Sequence, residues 1–315
     1  MRAMVIDRFG GPEVFQEREV PRPAAGPGEV LVRVAATSVN PVDAKIRAAG
    51  AWAGITPPAV LGYDVSGTVE EAGPGVASLR IGEEVYFTPE IHGNQHGSFA
   101  EFIVAPASIV APKPEGLDHI AAAAIPLAGG TAWEGIVRRL QVRPGETVLV
   151  LGGAGGVGSF AVQFAKAAGA RVLATASEAN RETLTALGAD VVIDYRTQDV
   201  VEASLAATAG IGVHALMDTV GAQALYPALG AVRAFGRIAT ILGGNGDIAS
   251  VVFKNQALHG IFLPRERARL EEMAPLFSRG VVRPLIDEVL PLREVARAHR
   301  RLDTGHGRGK IVLQV

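Results

Sequence analysis

The chain has 315 residues, 48% hydrophobic and 20% charged, the composition of a folded protein with a large core and enough length for two domains. Thirty Lys and Arg stand against 32 Asp and Glu, a net charge of -2, so no basic field gathers nucleic-acid phosphates or anionic lipids, and neither partner is expected. There is no cysteine, which excludes disulfides, thiolate catalysis and Cys-ligated zinc.

Near the start, Arg2, Asp7 and Arg8 surround a very short apolar run, unlike the long apolar segment of a secretory signal, and a cytoplasmic location is the default expectation. Short alternating segments at 3–7, 30–37, 65–72, 84–87 and 99–104, separated by Gly/Pro turns, predict a largely antiparallel β domain. No sustained helical period appears before residues 119–124. His92 and His96 lie in a Gly-containing loop with no third ligand in view, so no metal is expected there.

From Glu146 the rhythm changes to strand and helix in alternation. Strands are predicted at 147–151, 171–176, 191–194, 213–218, 237–242 and 258–263, with helices at 159–168, 178–187 and 222–232 between them. This α/β alternation forces a parallel, doubly wound six-stranded sheet. Residues 147–165 carry no charged side chain, but their five glycines read as strand, tight turn and helix start rather than a membrane span. After Pro264 come charged helices at 265–278 and 292–303, the first ended or kinked by Pro275, and a last strand at 310–315. Their Arg residues alternate with acids, as solvated helix faces do. This return lacks a βα repeat and is too short for its own core, so it is expected to pack on the first domain. The predicted domains are therefore 1–126 completed by 264–315, and 127–263.

Gly153, Gly155 and Gly158 form G-x-G-x-x-G in the string VLVLGGAGGVGSF. With 38 glycines in the chain, roughly half such a match arises by chance, so the motif alone says little. Its placement directly after a strand and at a helix start makes dinucleotide binding the reading, with Gly153, Ala154, Gly155, Gly156, Val157 and Gly158 against the pyrophosphate. At the end of the second strand, where NAD-binding versions hold the ribose with an acid, the chain has Ala174, Thr175, Ala176 and Ser177. That absence, with Arg181 nearby, favours NADPH; Glu178, one residue past the expected place, pulls the other way.

Taken together, SVNPVDAKIR, LGYDVSGTVEEAGPGV, GSFAEF, PLAGGTAW, GGAGGVG and a final GKIVL resemble the zinc-free quinone oxidoreductase (ζ-crystallin-like) branch of the medium-chain dehydrogenase/reductase superfamily, over essentially the whole chain. The resemblance implies a GroES-like β-rich catalytic domain, a Rossmann domain inserted into it, and a homodimer joined along the strand at 258–263. Zinc enzymes of that superfamily carry Cys and a His-Glu pair where this chain has Ser38 and Tyr63-Asp64. By the same resemblance Asn40 faces the nicotinamide and substrate, Thr131 contacts the nicotinamide end, Thr219 and Gly243 line the cofactor, and Tyr195 flanks the adenosine phosphate. Phe262 and Lys310 are further cofactor candidates. Lys45 is a candidate stabiliser of the product anion, at a position where family members often have Tyr, and Asp43 a helix cap.

Without a metal, the acceptor decides feasibility. Reducing a ketone forms an alkoxide of pKa about 16, whereas a hydroquinone oxygen resembles tyrosine at about 10, a gap of roughly 8 kcal/mol in proton affinity. Quinones and conjugated carbonyls therefore tolerate the lack of a Lewis acid, and they are the expected substrates. The rival expectations are an enoyl-acyl or CoA-type double-bond reductase, and a non-enzymatic NADPH-binding structural or RNA-binding crystallin-like protein.

Overall fold

Alternating apolar and polar side chains, broken by Gly and Pro, draw the first part of the chain into short strands. In chain order these are β1 (Arg2–Ile6), β2 (Phe15–Glu19), β3 (Glu29–Ser38), then helix α1 (Pro41–Ala49), followed by β4 (Ala59–Val60), β5 (Val65–Ala72), β6 (Glu84–Phe87), β7 (Phe102–Pro106), β8 (Ala111–Pro112) and α2 (His119–Ala123). A computed structural model describes residues 1–305 and 307–315. They divide into two units: Met1–Leu127 with Pro264–Gly280 and Pro284–Val315, and Ala128–Leu263 with Val281–Arg283.

Helix α1 was not foreseen from periodicity, because its inward face is partly polar: Asp43 and Arg47 are buried beside Ile46. Its start follows local rules. Pro41 fits the first helical position, and Asp43 Oδ2 accepts from the Asn40 backbone N–H at 2.5 Å.

Within α3 (Pro126–Trp133) the chain enters the second unit, where apolar strands and helices alternate: β9 (Thr147–Leu151), α4 (Gly156–Ala167), β10 (Arg171–Ala176), α5 (Arg181–Ala186), β11 (Val191–Asp194), α6 (Val200–Ala207), β12 (Val213–Asp218), α7 (Ala222–Ala228), β13 (Val232–Thr240), α8 (Ala249–Phe253) and β14 (Ala257–Gly260). All six strands are parallel, in the order β11-β10-β9-β12-β13-β14. Chain direction across the sheet reverses between β9 and β12, the switch point where such sheets bind ligands beyond their C-terminal strand ends. Leu149, Leu151, Leu173, Ile193, Leu216 and Ile238 fill one side of the core.

The return comprises α9 (Arg267–Ser278), β15 (Ile286–Pro291), α10 (Val295–Asp303) and β16 (Lys310–Gln314). Pro275 lies inside α9, which continues to Ser278. The expectation that this segment lacks a βα repeat is corrected: β15 and β16 pair in parallel with α10 between them, one crossover unit. In the first unit's larger sheet the order is β15-β16-β3-β5-β6-β8, with β7 also on β3, while β2-β1-β4 form a second sheet. Ile6, Phe15, Ile46, Leu61, Tyr63, Phe99 and Leu313 pack in this unit's core. Among the described residues no helix is long and apolar enough to cross a membrane.

Candidate functional site

The turn after β9 is shaped by close backbone approach. Gly152 has φ +74, a conformation that favours glycine, and a Cβ on Gly158 would come within 2.1 Å of the Gly152 carbonyl oxygen. Two hydroxyls brace the turn: Thr175 Oγ1 accepts from Gly152 N at 3.0 Å, and Thr219 Oγ1 donates to Leu151 O at 2.7 Å. The first full helical bond of α4 runs from Ser159 N to Gly155 O, so the amides of Gly156, Val157 and Gly158 lack an i−4 acceptor. These amides and the positive end of the helix dipole suit a pyrophosphate.

Gly155 tests the fit of that group. Its backbone is at φ -75 and ψ 177, which any residue adopts, and an added Cβ would meet only Gly152 O at 3.4 Å. Nothing in the protein demands glycine here, and the open space beside the helix start leaves room for a ligand to approach the backbone closely.

Ser177, Tyr195, Thr219, Gly243 and Phe262 all follow the C-terminal ends of parallel strands, so the sheet brings them to the same edge as the glycine loop. Tyr195 is 52% exposed and carries the Arg196 guanidinium 5.8 Å from its ring centre. Phe262 is exposed, and a Cβ on Gly243 would meet nothing within 4 Å. Thr131 is buried on α3. Arg181 is less free than the sequence suggested: its Nε donates to both Glu178 carboxylate oxygens, at 2.7 and 2.9 Å, and its Nη1 to Val192 O at 3.0 Å. Their hydrogen bond holds the Glu178 carboxyl below its ordinary range.

In the first unit, Asn40 and Lys310 lie in one buried polar cluster that sequence reasoning did not assemble. Lys310 Nζ donates to Val39 O at 2.9 Å, to Asn40 Oδ1, and to Asp64 Oδ2 at 3.3 Å. Asp64 Oδ2 also accepts from Asn40 Nδ2 at 2.8 Å and Ser38 Oγ at 2.5 Å, and Asp64 Oδ1 accepts from Leu127 N at 2.8 Å. Thr37 Oγ1 donates to Asp64 O at 2.6 Å. Lys310, expected as a cofactor candidate, is placed in this cluster, where the three protons of its ammonium all have acceptors within the protein. The residue sequence reasoning missed as a hub is Asp64; a lone acid in the apolar string LGYDVSG was its signal.

Asp43 adjoins the cluster through Asn40 N. Burial pushes its carboxyl up to about 8, helped by the Asp64 charge and opposed by the Asn40 hydrogen bonds and Lys310. Among the described residues its buried Oδ1 has no hydrogen-bond partner. Among the described residues the buried Tyr63 hydroxyl also has no hydrogen-bond partner, and burial raises its pKa. Lys45 is exposed on α1, outside this cluster.

Comparison with known proteins accords with this geometry. Residues 26–115 match the alcohol dehydrogenase GroES-like domain family, and 187–313 the zinc-binding dehydrogenase family. A chloroplastic NADPH-dependent alkenal/one oxidoreductase of Arabidopsis thaliana is 33% identical over 325 residues, covering 99% of this chain and 79% of the relative. The quinone oxidoreductase of Rattus norvegicus is 30% identical, covering 99% and 97%. The solved quinone oxidoreductase of Coxiella burnetii superposes with a TM-score of 0.91 at 32% identity, over 100% of this chain and 99% of that one. The chain belongs to the quinone oxidoreductase branch of the medium-chain dehydrogenase/reductase superfamily.

The family description names zinc, and the residues present do not suit it. The chain has no thiolate to offer, and the carboxylate at Asp64 is already paired with an ammonium. Among the described residues no group of three or more His, Cys, Asp or Glu gathers as a metal site. His92 stands edge-on to Trp52, and His96 is exposed in the same loop.

Proposed function

We propose that this protein is an NADPH-dependent oxidoreductase that passes a hydride to a quinone or an α,β-unsaturated carbonyl compound without zinc. The observation that carries the reading is the turn at the sheet's switch point, with open amides and a Gly155 that leaves room for close approach of a ligand. Support for the acceptor class comes from the relatives' names and from the chemistry of a metal-free site, which favours products whose negative charge is delocalised.

In this reading the backbone from Gly153 to Gly158, Ala154 included, lies against the pyrophosphate, and the amides of Gly156, Val157 and Gly158 donate to it, those of Gly153 and Gly155 being bonded to Thr175 O and Gly152 O. Ser177, Arg181 and Tyr195 hold the adenosine phosphate, Thr131, Thr219, Gly243 and Phe262 line the rest of the dinucleotide, and Asn40 faces the nicotinamide. The bound dinucleotide supplies the hydride. Lys45, exposed at the position of the family's Tyr, stabilises the product anion. Domain limits of 1–126 with 264–315, and 127–263, belong to the same proposal, as does a cytoplasmic location, which cell fractionation tests.

A homodimer also belongs to the proposal. Strand β14 is the sheet's last strand, paired only with β13 among the described residues. Nearby Phe235 and Phe253 are 73% and 83% exposed, and Phe235 N donates to Lys254 O at 2.8 Å. A second copy of this chain covers such an edge and its apolar surroundings. Sedimentation equilibrium reads the mass; a monomer at micromolar concentration refutes the dimer.

The deciding experiment records NADPH and NADH oxidation with quinones, enones and enoyl thioesters, each with and without a chelator. Turnover of quinones or enones, unchanged by the chelator, is the expected result. Preference for enoyl thioesters supports the rival double-bond reductase, and dinucleotide binding without oxidation supports a structural role.

A further inference from the structure

The Asn40 carboxamide is held from both sides, its oxygen by the Lys310 ammonium and its nitrogen by Asp64 Oδ2. An amide alone is free to exchange the two ends by rotation about χ2, and hydrogen-bond partners decide which end faces which way. Here the partners carry opposite charges. A flip would set the Asn40 N–H groups against an ammonium and its oxygen against a carboxylate, so one orientation is strongly favoured.

All four atoms that matter are buried: Asn40 is 2% exposed, Lys310 4% and Asp64 0%. The ammonium therefore interacts with the amide in a medium that screens it little. Val39 O, Asn40 Oδ1 and Asp64 Oδ2 form a set of oxygens around Nζ that resembles the ligand set of a hard cation, filled by a cation tethered to β16.

We propose that Lys310 is a positioning residue: its tethered ammonium fixes the Asn40 amide so that Asn40 presents a hydrogen-bond donor, never an acceptor, to whatever ligand lies against it. The second proton of Asn40 Nδ2 is shared between Ser38 O, at 3.4 Å, and the Asp43 carboxyl, and it is the one most readily exchanged for a ligand. The group that Asn40 receives is thus a carbonyl-type oxygen, of the reducible substrate or of a carboxamide. This inference rests on the reductase reading for its kinetic consequence but not for its structural one.

The single variant K310M leaves Asp64 buried without a counter-charge and is prone to unfold, so the double variant K310M/D64N carries the test. It keeps side-chain volume and neutrality, and the new carboxamide at position 64 still has an oxygen to accept from Asn40 Nδ2. Two readouts apply. In protein labelled with 15N-asparagine, the Asn40 side-chain signal, identified by its loss in N40D, exchanges with solvent slowly in the wild type and about 100-fold faster in the double variant. In steady-state assays kcat falls by roughly tenfold or more while the dissociation constant for NADPH changes less than about threefold.

Equal exchange and equal kcat in the double variant and wild type overturn the proposal. Loss of thermal stability with unchanged kcat and exchange also overturns it, since that is what charge balance alone produces. If wild-type protein reduces no acceptor, the reductase reading fails, and the exchange measurement still decides whether Lys310 orders Asn40.

Discussion

In the first unit Asp64, Asn40 and Lys310 satisfy one another through buried side-chain atoms, whereas in the second unit the turn after β9 leaves amides without intrahelical acceptors and a glycine with no steric cause. A cluster complete in itself is assembled by folding. A loop that is incomplete awaits a ligand. Damage that leaves a buried charge unpaired in the first should therefore appear as lost stability, a charge-balanced change there as lost turnover, and damage to the second as lost binding with the fold intact.

The largest effect falls on the cluster. Asp64→Ala strands the Lys310 ammonium in a buried site and removes the acceptor of Ser38 Oγ and Leu127 N, and it should destabilise the protein by about 3–5 kcal/mol in urea denaturation. A change under about 1 kcal/mol would mean that water reaches Lys310 and that the cluster is not closed. Next comes the loop. Gly155→Ala fits the extended backbone there and its Cβ meets only Gly152 O, so the melting temperature should barely move, yet affinity for NADPH should fall roughly tenfold, about 1.4 kcal/mol. A variant that binds NADPH normally would remove the glycine loop from the site.

The pH dependence sharpens the same contrast, since the first unit buries a titrating acid beside its cluster. The Asp43 carboxyl is raised from about 3.8 to about 8, so between those values the folded state holds a proton that the unfolded chain releases. Its contribution to stability is full below about pH 4 and is lost as the pH rises through about 8. Asp43→Asn, which keeps an oxygen for the Asn40 N–H, should flatten that decline. An unchanged slope in thermal melts from pH 5 to 8.5 would assign the decline to other groups.

How much of this was legible beforehand depends on the kind of order involved. β9, the glycine turn and the helix after it were readable because the period changes abruptly, although α4 begins at Gly156 rather than Ser159: glycine's low helix propensity hid its first turn. β10, β11 and β12 were readable as apolar runs between turns. β15 was not, because Asp287 and Glu288 follow its first residue, Ile286, and only Leu290 is fully buried in it. The Lys310 cluster could not be read at all: Lys310 and Asp64 are 246 residues apart, and no local pattern marks a pair that meets only when β16 completes the sheet beside β3. Backbone sites leave a signature in glycine spacing; side-chain clusters leave only isolated polar letters in apolar strings.

The smallest predicted effect concerns the choice between NADPH and NADH, where the second unit places a cation and an anion side by side. Arg181 offers charge to a 2′-phosphate, and Glu178, 20 residues beyond Gly158, sits near where an acid holds an unphosphorylated ribose. In the structure the two engage each other, and the hydrogen bond from Arg181 lowers the Glu178 pKa. Both are solvent-accessible, so their pairing is weak enough for a phosphate to displace it. Arg181→Ala should lower kcat/KM for NADPH by roughly fivefold and leave NADH almost unchanged, while Glu178→Ala should raise the preference for NADPH by about threefold. If Arg181→Ala instead weakens both cofactors equally, Arg181 acts through its bond to Val192 O, as a brace for β11, and the preference lies with Tyr195 and Arg196.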